Sequence, residues 1–163
     1  MNLCSYKQIF NEHKFEINLS LLSNFFLCFM EELIRLSETR QFKAIFPNTL
    51  NANETLFGGQ AMQWMDEVAY ITATRFTRQR MFTVNTENIK FLKAVNTNSI
   101  VEVVGRVEKA SQVKLRIKVE IFVEKMYGQG RDKAIEGVFV FASLDDNKKP
   151  RRIDYSLLKN REN

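Results

Sequence analysis

The chain has 163 residues, 45% of them hydrophobic and 12% aromatic, enough to build one packed domain and too apolar for a disordered chain. Lys and Arg number 24 against 19 Asp and Glu, and the resulting +5 suits a polyanionic partner: nucleic acid, an anionic membrane or a phosphorylated small molecule. Both cysteines, Cys4 and Cys28, and the single histidine, His13, fall within the first 29 residues, so residues 30–163 hold no disulfide, no Ser-His-Asp or Cys-His triad, no His-Glu pair and no histidine-based zinc site.

In chain order, a polar start leads into the patch "INLSLLSNFFLCFM". Asn18, Ser20, Ser23 and Asn24 interrupt it, and it falls short of the ~18 apolar residues of a membrane-spanning helix, with no small-residue cleavage site after it. Met30 opens "MEELIRLSETRQFKAIFP" as a natural start would. Residues 1–29 are therefore read as an extension outside the domain, 30–153 as the domain and 154–163 as a polar tail. "TRQFKAIF", Thr39 to Phe46, predicts a first strand with Phe42, Ala44 and Phe46 on one face, stopped by Pro47. After the polar loop "NTLNANET", residues Ala61, Met62, Met65, Ala69, Thr72, Ala73 and Phe76 recur at helical spacing and predict a helix from Gly58 to Phe76. Few charges interrupt it, so a central helix buried on most sides is expected.

The period then changes to two. In "VKLRIKVEIFV" the residues from Val113 to Val123 alternate with Lys114, Arg116, Lys118 and Glu120, the pattern of a half-buried antiparallel strand. "MFTVNTENIKF", "SIVEVVGRVEK" and "KAIEGVFVFASL" complete four strands joined by short connections. Strand, helix and four strands make an α+β layer arrangement.

The stretch "NANETLFGGQAMQWMDE" carries the chemistry. Gly59 shares a helix face with Met62, Gln63, Asp66, Ala69, Tyr70 and Ala73. A glycine at a helix N-terminus lets a carbonyl approach unpaired backbone N–H groups, and a carboxylate two turns further in, desolvated there, should have a raised pKa. Together they could transfer an acyl group without histidine, although a Gly-Gly turn and an exposed aspartate are each commoner.

"FPNTLNANETLFGGQAMQWMDE" resembles the signature of the acyl-CoA hydrolase branch of the hotdog superfamily: Pro, then an Asn-led segment ending in Gly-Gly, then an Asp seven residues on. The resemblance continues through "VNTENIKFLKAV", "IKVEIFVEK" and "FVFASLDDNKKPRRI". It implies a hotdog fold, a long helix wrapped by a five-stranded antiparallel sheet, with active sites at a dimer interface. It also implies hydrolysis of acyl-CoA to free acid and CoA, with coenzyme A entering as part of the substrate and no separate cofactor or metal. Asp66 would be general base or nucleophile, Asn51 would orient water or thioester from the partner subunit, and the Gly59 amide would be the oxyanion hole. Phe57 and Gly58 would shape the acyl channel, while Lys93, Arg151 and Arg152 are candidate nucleotide contacts. The expected assembly is a homodimer at minimum, up to a hexamer built from three dimers, in the cytoplasm and without nucleic-acid or membrane partners. Two residues depart from the pattern: Glu54 stands where glycine is usual and Ala94 where proline is usual. The alternative is a non-catalytic hotdog module that binds acyl-CoA as a sensor; a hydratase is disfavoured because it needs a histidine.

Overall fold

A computed structural model describes residues 19–145 and 147–155, with side chains from residue 27 onward. The chain divides into two compact units, residues 1–32 and 33–163. The described residues of the first are the opening turns of helix α1 (Leu19–Ser37), which runs unbroken through Met30, so that residue lies inside an element and not ahead of one. No described helix is long and apolar enough to cross a membrane.

The second unit continues with β1 (Thr39–Ala44), a single 3-10 turn (Pro47–Thr49), α2 (Gly58–Thr77), β2 (Phe82–Phe91), β3 (Ser99–Ala110), β4 (Lys114–Lys125), β5 (Arg131–Leu144) and β6 (Pro150–Arg151). All strand pairs are antiparallel, in the order β1-β3-β4-β5-β2, with β6 on β5. This is the expected α+β sheet of five strands plus a sixth, two residues long, which is too short to show a period in sequence. Alternation placed β4 correctly: Leu115, Ile117, Val119 and Ile121 are fully buried. Each such side chain contributes about 1.5–3 kcal/mol relative to an exposed one.

Helix α2 packs its inner face, Ala61, Met65, Val68, Ala69, Thr72 and Phe76, against β3 and β4. The approach is close because β3 has Gly105 at the crossing, where a Cβ would lie 2.6 Å from Thr72 Oγ1 and 2.8 Å from Val68 Cγ1. Arg78, in the left-handed region at φ 56°, ends the helix and donates its N–H to the Thr74 carbonyl. The expectation of a helix buried on most sides needs correction. Gly59, Gln63, Asp66, Glu67 and Tyr70 form an exposed outer stripe, because no layer among the described residues covers that side.

Strand β1 also differs from expectation. It ends at Ala44, and Phe42 and Phe46 are 64% and 60% exposed. Its other face meets α2, through Gln41 against Glu67 and Lys43 over the Trp64 ring. The far side of this edge strand has nothing over it. At the other edge β2 is irregular: its register slips between Thr83 and Asn85 and again between Glu87 and Lys90, where Asn88 takes φ 53°.

The outer face of the sheet is covered by ion pairs. Glu102 lies between Arg40, at 2.6 Å, and Arg131, Glu120 between Lys133, at 2.6 Å, and Lys118, at 3.2 Å, and Arg116 between Glu87 and Glu108. Burial alone would push the Glu120 carboxyl up, but hydrogen bonds from Lys133 and Lys118 outweigh it and hold the group below the usual glutamate range.

Candidate active site

Phe57, extended at φ -62° and ψ 127°, is the residue before α2, and Gly58, Gly59 and Gln60 open the helix. The first backbone donor to find a partner is Ala61, bonded to the Phe57 carbonyl at 3.1 Å. The Gly59 N–H therefore keeps its donor free at the positive end of a 20-residue helix with no acidic side chain in its first turn. A Cβ at position 59 would stand 2.4 Å from Cε1 of the exposed Phe57 ring, so any larger residue there displaces that ring.

Asp66 lies seven residues further on, about 10 Å along the axis on the same face. The desolvated setting expected for it is not supplied by this chain, because the outer stripe of α2 is exposed. What holds the carboxylate is Thr83 at the start of β2, whose Oγ1 donates to Asp66 Oδ1 at 3.0 Å. Sequence reasoning missed Thr83. It has no local signature, and its contact with the helix depends on where β2 begins.

Asn51 is locked by its own loop. Its Oδ1 accepts from the N–H groups of Asn53 (2.8 Å) and Thr55 (3.2 Å), and its Nδ2 donates to Thr55 Oγ1 (2.9 Å), leaving one amide N–H to spare. Asn51 lines an open cleft of about 460 Å³ together with Thr55, Gly58, Phe91, Lys93 and Ile135. The two departures from the family pattern now have local explanations. Glu54 adopts φ 57°, the conformation glycine takes without strain. Ala94 donates no backbone hydrogen bond to a described residue, so proline's missing N–H would cost nothing there.

The predicted residues are thus divided between two places. Gly58, Asn51 and Lys93 meet at the cleft, with Phe57 beside it over Gly59, while Lys93 is ion-paired to Asp132 at 2.5 Å. Arg151 pairs with Ser143 on β5, whereas the Lys93 amide bonds to Ala134 on that same strand. Nine residues of β5 therefore separate them, roughly 30 Å, and one chain does not gather Lys93, Arg151 and Arg152 around one nucleotide.

The thioesterase superfamily model matches residues 53–128. The acyl-CoA thioester hydrolase YciA of Salmonella typhimurium is 32% identical over 108 residues, covering 64% of this chain and 81% of that protein. Among solved structures, the acyl-CoA hydrolase of Staphylococcus aureus in complex with butyryl coenzyme A and coenzyme A superposes with a TM-score of 0.69 at 29% identity, over 74% of this chain and 73% of that one. A hexameric thioesterase of Yersinia pestis gives 0.64 at 33% identity, over 70% and 93%. The S. aureus enzyme has also been solved with an asparagine, an aspartate and a threonine individually replaced by alanine. Their spacing along its chain, 15 and then 17 residues, is that of Asn51, Asp66 and Thr83 here.

Proposed function

The chain belongs to the thioesterase superfamily and is a hotdog-fold acyl-CoA hydrolase; from there we propose that Asp66, Asn51 and Gly59 carry out the hydrolysis, with Thr83 as a fourth member of the site. The observation that carries this reading is the outer stripe of α2, which bears a free amide at Gly59 and, about 10 Å further on, a carboxylate oriented by Thr83. One thioester does not span that distance within a chain, so the Gly59 amide of one chain works with the Asp66 of another. The thioester oxygen accepts from the Gly59 N–H, where the helix terminus stabilises the negative charge that develops on it. Asp66 either takes a proton from the water that attacks the carbonyl carbon, or attacks the carbon itself to give an anhydride that water opens. In both routes the C–S bond breaks, its electron pair leaves with sulfur, and the thiolate of CoA takes up a proton. Thr83 occupies Oδ1 and leaves Oδ2 for this work. No cofactor beyond the substrate's own CoA is required.

The site we propose needs two chains. The Asn51 cleft and the Asp66–Thr83 pair lie at opposite ends of β2, since Thr83 and Phe91 pair with residues of β5 six apart, roughly 20 Å. A second copy laid antiparallel along the free β2 edge reverses that order. It sets the Asn51 and Lys93 end of one chain against the Asp66, Arg151 and Arg152 end of the other, and so reunites the residues a single chain keeps apart. The half-exposed Phe82, Val84, Phe91 and Leu92 support such a pairing, because an uncovered apolar edge strand is an open template for association. The minimal unit in this reading is a dimer, three of which assemble into a hexamer, in the cytoplasm. Residues 30–153 form the working domain, and a chain beginning at Met30 should keep its turnover.

Subunit exchange tests the arrangement. Asn51→Ala and Asp66→Asn should each be nearly inactive alone. Mixed to full exchange, half of the dimers combine one of each and hold one intact site of two, so activity should recover to about one quarter of the parent. No recovery despite demonstrated exchange would put both residues in one chain's site.

A further inference from the structure

Two sets stand out among the described cations. On the outer face of the sheet Arg40, Lys90, Arg116, Lys118, Arg131 and Lys133 are all ion-paired. Arg78, Arg80, Lys114, Lys148, Lys149, Arg151 and Arg152 are exposed and make no ion pair with a described residue. The second set shares one end of the sheet. Phe82 and Lys114 both pair with Ala142, Arg151 pairs with Ser143, Ile153 donates to the Gln112 carbonyl, and Gln79 bonds the backbone of Asp154. Three acids occur among these segments: Asp145, whose Oδ1 caps the N–H groups of Asn147 and Lys149, Asp154, and Asp146, which lies outside the described residues. Seven cations against three acids leave the end basic, and the Asp66–Thr83 pair opens at this same end because Thr83 follows Phe82.

We infer that this end is an electrostatic capture surface for the phosphates of the CoA nucleotide, acting through its summed field on the rate at which acyl-CoA reaches the site. The inference rests on the acyl-CoA reading above and goes beyond it, since charges that touch no substrate atom contribute. Charges carried on neighbouring segments at one end of a sheet add where they lie within a Debye length of an approaching polyanion, about 8 Å at physiological salt, so the cations act together on it. The paired face of the sheet presents no comparable surplus, and so the field directs the nucleotide to one end and leaves the thioester to enter the Asp66 stripe.

The test compares kcat/KM for an acyl-CoA with that for the same acyl group on N-acetylcysteamine, a thioester without nucleotide or phosphate, using the full chain. In Arg78→Gln/Arg80→Gln/Lys149→Gln the ratio of the two should fall roughly threefold to tenfold at low salt. The parent's ratio should fall as sodium chloride rises from about 0.02 to about 0.2 M, and the triple variant's should fall less. A ratio indifferent to the substitutions, or indifferent to salt, overturns the inference, as does an equal loss on both substrates. Hydrolysis of neither thioester, or full activity in Asp66→Asn, would instead bring down the reading of the site and this inference with it.

Discussion

Two faces of one helix divide the labour of this molecule. The inner face of α2 is complete within one chain: Met65, Val68 and Phe76 are buried, and Gly105 on β3 gives the helix room to settle. The outer face carries Gly59, Asp66 and a hydrogen bond from Thr83, and nothing among the described residues shields it from water. Neighbours in sequence, Met65 and Asp66 therefore belong to different problems, one to folding and the other, in the function proposed above, to chemistry. A single chain can satisfy the first alone.

Substituting those two neighbours is the sharpest way to break the comparison. Asp66→Asn should lower kcat by about 10²- to 10⁴-fold, with a melting temperature close to the parent's. Met65→Ala should destabilise by about 2–5 kcal/mol in denaturant titration, with activity retained by the fraction that is folded. If Asp66→Asn instead unfolds the protein, the two faces are not separate.

A smaller effect tests whether the charged sheet surface belongs with stability. The Glu120 carboxylate is held below its usual range in the folded protein, so it favours folding in full above about pH 4.5. That contribution is lost as pH falls from there through the depressed folded value. Glu120→Gln should cost about 1–2 kcal/mol at neutral pH. It should also flatten the decline of melting temperature as pH falls below about 4.5, measured against the parent. The smallest expected change is at the loop that positions Asn51. Glu54→Gly should stabilise by up to about 1 kcal/mol, because φ 57° strains any residue with a Cβ. A loss of stability there would mean that the glutamate side chain supports the loop.

What could be read in the sequence followed local rules. The period of two across Lys114–Val123 needs only one covered face, and the apolar spacing from Ala61 to Phe76 only a sheet to lie on. Asn51, Gly59 and Asp66 were legible through their resemblance to a family motif. Thr83 was not, because its partner is in another element and the contact depends on tertiary register. The exposure of Phe42 was not legible for a related reason: alternation reveals that a strand has two faces, not which of them the helix will cover. The distance between Lys93 and Arg151 is a property of the length of β5, which no motif records.

The two register slips in β2, before Asn85 and before Lys90, bear on which strands this edge will accept. A flat edge pairs with any extended segment that reaches it, whereas an edge kinked at two fixed points pairs along its length only with a strand whose kinks fall opposite. An identical copy, turned end for end, carries both. A related chain with one kink shifted by a residue would present its side chains to the wrong side beyond that point. In a cell that makes several such enzymes, this irregularity would sort the subunits, keeping each with its own kind and excluding stray strands that would otherwise extend the sheet.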